Sequence, residues 1–202
     1  IGKERLTEMS VQDKLEEFRK EQEGYIEPSF ATISAYGANA AMCHYSATKE
    51  SDTVLEDHGF YLVDSGGQYY EGTTDITRTI ALGELTEEEK EHFTLVLISM
   101  LRLKEVKFLY GCRGLSLDYV AREPFWSRGL NFDHGTGHGV GYLLNVHERP
   151  NGIRFRMVPE RHDNGVLEAG MITSDEPGLY IEGSHGIRTE NLILCGCRPG
   201  LS

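Results

Sequence analysis

The periodicity of apolar positions changes several times along the chain. Between Ser10 and Glu23, Val11, Leu15 and Phe18 recur at helical spacing among charged residues. This predicts an amphipathic helix with Ser10 as its N-cap and Asp13 three places on. The stretch before it, Ile1 to Met9, reads as the tail of an element begun upstream. From Phe30 to Tyr45 the pattern is short, β-prone and broken by Gly37 and Asn39, so a strand, a turn and a second strand ending near His44 are expected. The apolar run Gly59 to Asp64, the glycines of SGGQYYEG and the Thr/Ile-rich TTDITRTI together predict a β-hairpin. Thr86 and Glu89 form a capping-box pattern ahead of Phe93, Val96, Leu97, Met100, Leu101 and Leu103, which marks a longer helix. A further helix is expected over Ser116 to Trp126. After it come a Gly- and His-rich segment, Asp133 to His147, then a loop to Glu168 rich in Pro, Arg and Asn. Two strand-like runs around EPGLYIEGSHG close the pattern between Met171 and Leu194.

Helices mixed with short, turn-linked strands place the chain in the α+β class. Its 202 residues suit one domain over 1–202, with no repeat, low-complexity tract or linker visible. No apolar run approaches the roughly 20 residues of a membrane helix. A formal charge of -12 argues against nucleic acid and anionic membrane surfaces as partners and leaves small or peptide ligands. Cys43, Cys112, Cys195 and Cys197 lack zinc-type pairing and read as reduced thiols of a cytoplasmic protein.

Three clusters carry chemistry. Asp64 and Asp75 fall on opposite arms of the hairpin, where facing carboxylates repel unless a cation lies between them. Either has an ordinary alternative: Asp64 opening a turn with Ser65, Asp75 pairing with Arg78. The second cluster is HGTGHGVG followed by NVHE, which holds His134, His138 and His147. Glycines contribute no side chain and cost backbone entropy, so their density implies that something approaches this backbone closely. HGTGH lacks the Glu of a helical zinc protease, and GTGHGVG misses the glycine spacing of a dinucleotide loop. In the third cluster Glu176 of SDEPGLY and Glu190 of GIRTEN end a strand pair joined through Gly183 and Gly186. Here too the ordinary readings, a turn cap at Pro177 and a pair with Arg188, hold singly. Four carboxylates and one imidazole form an oxygen-rich set suited to two hard or borderline divalent ions, Mn(II), Co(II) or Fe(II), with Zn(II) admitted. Paired ions of this kind activate water for hydrolysis.

In order along the chain, DSGGQYYEGTTDITRT, HGTGHGVGYLLNVHE, SDEPGLY and GIRTEN resemble the aminopeptidase P family of Xaa-Pro aminopeptidases, over about Ser10 to Leu194. Prolidase, methionine aminopeptidase and creatinase are related and share the pita-bread fold, a curved antiparallel sheet flanked by helices. The resemblance implies two metal ions, with Asp64 on one, Asp75 and Glu190 bridging, and His138 and Glu176 completing the other site. It implies a bridging hydroxide as nucleophile, proton transfer by Glu176, and His147 steadying the carbonyl or tetrahedral intermediate. His44 and His134 match histidines that line the substrate pocket, while Tyr180 and Arg188 fall near the metals. The implied substrates are peptides with proline in second position, and the implied assembly of the full-length protein is a homodimer. The family's first helix and strand, its upstream domains and its C-terminal continuation are expected to be missing from this sequence. An Xaa-Pro dipeptidase is the alternative enzyme, and a silent binding module built on this fold the alternative of another class.

Overall fold

The computed structural model describes residues 5–143 and 145–197. Of the stretch read as an upstream tail, residues 1–4 lie outside the described residues, as does the part of the C-terminal tail after Cys197.

Helix α1 spans Glu8–Lys20 and is capped by Thr7, whose hydroxyl accepts from the Ser10 N–H while the Ser10 hydroxyl accepts from the Thr7 N–H. Ser10 is therefore the third helical residue and not the N-cap. Both hydroxyls can cap; a tertiary contact chooses between them. Glu8 is fully buried and accepts from the backbone N–H groups of Tyr36 (2.6 Å) and Thr53 (3.1 Å), the Tyr45 hydroxyl (2.8 Å) and the Asn39 amide. A buried carboxylate with these partners fixes where the first turn begins.

Strand β1 (Tyr25–Pro28) precedes β2 (Ile33–Tyr36), after which the expected second strand is replaced by a one-turn 3₁₀ helix, Gly37–Ala41, with His44 in the turn that follows. Gly186 explains the change: a Cβ there would lie 1.7 Å from the Ala40 carbonyl oxygen, so the helical turn packs directly on glycine backbone. The predicted hairpin forms from β3 (Phe60–Ser65) and β6 (Ile76–Ala81), with a small excursion, β4 (Gly67–Tyr69) and β5 (Gly72–Thr73), at its tip. Helix α2 (Glu87–Lys104) carries the expected Thr86/Glu89 capping box, and α3 covers Gly114–Trp126.

Strand β7 (Gly137–Val140) pairs with β8 (His147–Ile153), and β8 occupies the start of what the sequence suggested was a loop. Pro150 hid this strand. It is tolerated because β8 is an edge strand in the order β12-β9-β7-β8 and the pairing is irregular between His138 and Gly139. The final segment holds four strands, not two: β9 (Ile172–Asp175), β10 (Gly178–Ile181), β11 (His185–Arg188) and β12 (Asn191–Leu194). Gly183 turns the chain at φ +73°, whereas Gly186 lies within β11 and not in the connecting loop.

Among the described residues the strands divide into four small antiparallel sheets. Phe60 of β3, Leu95 and Val96 of α2, Phe125 of α3, Phe132, Leu179 of β10 and Ile187 of β11 form one buried cluster. Leu103, Leu117, Ala121, Ile153 and Leu167 form a second. Each Leu, Ile, Val or Phe side chain among them contributes roughly 1.5–3 kcal/mol on burial, which holds α2 and α3 against the sheets. The predicted stripe of α1 is only half covered, with Phe18 exposed.

Candidate metal centre

Asp64 occupies the next-to-last position of β3, and its direct cross-strand partner on β6 is Thr77. Asp75 stands just before β6, so the two acids meet diagonally and not face to face. Glu190 lies between β11 and β12, close to the Thr77 hydroxyl, which donates to its Oε2 at 2.8 Å. From the other half of the fold, β7 supplies His138 and the end of β9 supplies Glu176. His138 Nε2 lies 3.2 Å from Glu176 Oε1 and 3.4 Å from Asp75 Oδ2. Ligand-type atoms of Asp75, His138 and Glu190 all fall within 4.8 Å of one another. Elements far apart in sequence thus bring the predicted acids and imidazole to one place.

Nearby groups set the orientation of each donor. The His138 backbone N–H donates to Ser174 Oγ (2.9 Å), and the ring Nδ1 lies 2.9 Å from the Gly139 carbonyl, which orients the ring and turns Nε2 toward the acids. Ser174 Oγ also donates to Glu176 Oε1 at 2.9 Å. The glycines around His138 have a packing cause. A Cβ on Gly137 would sit 1.8 Å from the Ser174 carbonyl oxygen, and one on Gly139 2.2 Å from that of Glu148. What approaches this backbone closely is the rest of the sheet.

Arg188 Nη2 donates to Asp64 Oδ2 at 2.7 Å, and its Nη1 donates to the Tyr180 hydroxyl at 2.7 Å. Tyr180 in turn lies 2.7 Å from His134 Nε2, while His134 Nδ1 is 2.8 Å from the Gly135 carbonyl. Burial lowers the His134 pKa to about 4, so the ring is neutral, donating from Nδ1 and accepting from Tyr180. Arg188 therefore pairs with Asp64 and not Glu190, and Arg78 binds the Glu190 carbonyl and Asn191 and not Asp75.

The charge pattern calls for cations. Burial, and then the charges of Glu176, Asp75 and Asp64, push the Glu190 carboxyl strongly upward. Burial raises Asp64 against the opposing pull of Arg188. Burial also disfavours charge on His138 and Glu176, but contact with Asp75 and then Glu176 raises the His138 pKa, and contact with His138 lowers that of Glu176. Oδ1 of Asp64 and Oε1 of Glu190 are buried without a hydrogen-bond partner among the described residues. Buried carboxyl oxygens left unpaired are costly, and divalent ions are the partners that oxygen and imidazole donors in this number accept. The residues fit a metal centre.

A cavity of about 730 Å³ opens over this cluster, lined by Asp64, Asp75, His138 and Glu176 together with His44, His134 and His147. His147 is exposed at the start of β8, its ring 4.1 Å from that of His138 and nearly perpendicular to it. The surrounding protein, and then the charge of His138, lower its pKa. Sequence reasoning passed over Thr77 and Ser174, which carry no charge signal. It also passed over Asp175, fully buried with neither carboxylate oxygen hydrogen-bonded among the described residues. Burial and then Glu176 raise its pKa to about 8, which keeps it protonated at neutral pH. The adjacent acids Asp175 and Glu176 ahead of Pro177 were the available signal.

A pita-bread domain whose two halves converge on acids and histidines defines a metallopeptidase scaffold. Residues 2–196 match metallopeptidase family M24, and the chain belongs to that family. It is 47% identical over 189 residues to the "Probable Xaa-Pro aminopeptidase P" of Paracoccidioides brasiliensis (strain Pb03), covering 94% of this chain and 30% of that protein. Among solved structures it is similar to the X-prolyl aminopeptidase of Caenorhabditis elegans, described as a cytosolic enzyme with a di-nuclear active site. The TM-score is 0.88 at 41% identity, over 95% of this chain and 30% of the other. The prolidase of Pyrococcus furiosus superposes with a TM-score of 0.83 at 34% identity, over 96% of this chain and 54% of that one. The chain thus spans about 30% of the length of the curated relatives it matches. Among the described residues no helix is long and apolar enough to cross a membrane.

Proposed function

We propose that the protein to which this chain belongs is a dinuclear metal-dependent aminopeptidase that hydrolyses the bond between an N-terminal residue and a following proline. The observation that carries this reading is the convergence of Asp75, His138 and Glu190 within 4.8 Å beside the unpaired oxygens of Asp64 and Glu190. Asp64, Asp75, His138, Glu176 and Glu190 would hold two divalent ions, with Mn(II) the expected metal. Residues 1–202 belong to the catalytic domain. The di-nuclear, cytosolic X-prolyl aminopeptidase of Caenorhabditis elegans supports the metal count and a cytoplasmic setting.

When bound, such ions polarise the scissile carbonyl and bring the pKa of water toward neutrality. The chain's own residues supply the rest. Glu176, ionised beside the cavity, takes the proton of the attacking water and returns it to the departing proline nitrogen. His147, at the rim with its ring against His138, steadies the oxygen that gains charge on the scissile carbonyl. His134 has both ring nitrogens engaged and orients the Tyr180 hydroxyl. Arg188 fixes Asp64. His44 lines the cavity on the opposite segment. An Xaa-Pro bond has no N–H to donate, so a dedicated pocket replaces ordinary strand-like docking.

The similarity to a prolidase favours a second reading, an Xaa-Pro dipeptidase. Hydrolysis assays of the full-length protein with Mn(II), comparing Xaa-Pro-Yaa peptides with Xaa-Pro dipeptides, separate the two. Cleavage of the longer peptides is expected; cleavage of dipeptides alone overturns the aminopeptidase assignment.

A further inference from the structure

We infer that the buried ion pair between Asp118 and Arg122 on α3 is a positioning device for the histidine and glutamate of the metal cavity. Both side chains are fully enclosed and lie one helical turn apart, with Nε to Oδ2 at 2.6 Å. Arg122 spends its remaining donors on a single stretch of chain. Its Nη1 donates to Asn131 Oδ1 (3.1 Å) and the Phe132 carbonyl (2.5 Å), and its Nη2 to the His134 carbonyl (2.8 Å). The guanidinium is sandwiched by the rings of Phe132 at 3.9 Å and Phe155 at 4.4 Å. The second oxygen of Asp118 accepts from the Thr136 hydroxyl at 2.6 Å. The Thr136 carbonyl then accepts from the Glu176 N–H at 2.9 Å. One ion pair therefore grips residues 131–136 at four atoms and connects through Thr136 to Glu176, while His138 follows two residues later.

Such a pair is weak as a source of stability, because enclosing two charges costs about as much as their attraction returns. Its strength is geometric: a planar fork with fixed donors admits one arrangement of its acceptors. The segment it holds leads from α3 to His134 and His138, and without a template that Gly-rich stretch has few side chains of its own to define its path.

This inference rests on the metal-centre reading and deepens it. The test replaces Thr136 in the full-length protein, since Thr136→Val keeps shape but loses the bond to Asp118 and leaves the ion pair standing. The readouts are Mn(II) affinity, the Co(II) absorption spectrum at saturation, and kcat on an Xaa-Pro-Yaa peptide. Thr136→Val is expected to lose about 10- to 100-fold in metal affinity or kcat and to shift the Co(II) bands. Thr136→Ser, which retains the hydroxyl, is expected to restore both. Arg122→Lys, with its charge kept and its fork lost, is expected to match Thr136→Val; should it fail to fold, the Thr136 pair still decides. A Thr136→Val protein identical to wild type in affinity and spectrum overturns the inference, as does Thr136→Ser losing as much as Thr136→Val. If the wild type binds two ions yet leaves Xaa-Pro peptides uncut, the peptidase assignment fails while the affinity comparison still decides the positioning role.

Discussion

Arg188 holds Asp64 through a single 2.7 Å bond from Nη2 to Oδ2 and leaves the other carboxylate oxygen buried and, among the described residues, unpaired. The guanidinium thus compensates part of Asp64's charge while keeping one oxygen presented for a cation. Replacing Arg188 by Met strands a buried carboxylate. Without added metal the variant is expected to lose about 3–5 kcal/mol of stability by urea unfolding. Mn(II) should recover part of this, and a loss below about 1 kcal/mol would show the pair to be incidental.

Gly186 tests the contact between β11 and the turn that carries His44. An alanine Cβ would lie 1.7 Å from the Ala40 carbonyl oxygen, so backbone has to move. Gly186→Ala is expected to cost about 1–3 kcal/mol or more in urea unfolding and to lower activity through displacement of His44. Unchanged stability would mean that the close packing is not maintained in solution.

A pH dependence follows from the buried pair His92 and His185, which meet at 3.0 Å between α2 and β11, away from the metal cavity. Burial, and then the charge of His92, lower the His185 pKa from its ordinary 6.5. Between the lowered folded value and 6.5 the unfolded chain binds more protons than the folded one, so stability rises with pH through that window. It is fully present above about 6.5 and lost as pH falls. Urea midpoints at pH 7.5 and 5.5 should show a smaller acid loss in His185→Asn than in wild type. Equal losses would remove His185 from the account.

Much of this architecture was legible in the sequence because local and tertiary signals agreed. The Thr86/Glu89 capping box and the apolar run into Asp64 needed nothing beyond their own segments. The acids and His138 were legible as a set only through the order of their motifs and the family resemblance those carry, since each acid alone had an ordinary alternative. Other features were hidden for identifiable reasons. Ser10 lost the cap to Thr7 because buried Glu8 bonds to residues 28 and 45 positions away. Strand β8 was masked by Pro150, which only an edge position tolerates. Asp118 and Arg122 have the i,i+4 spacing of a common surface pair, and their complete burial depends on Phe132 and Phe155 closing over them. The glycines beside His138 signalled a close approach to this backbone, but not that the approaching groups are the carbonyls of neighbouring strands, which only the pairing of distant segments reveals.

The most direct test of the metal centre is the count of ions retained by the Mn(II)-loaded, desalted protein, with Asp75→Asn measured alongside. A centre built from Asp64, Asp75, His138, Glu176 and Glu190 predicts about two ions per chain in the wild type and loss of binding in the variant. A wild-type protein that retains none, or a variant that retains as many, would contradict it.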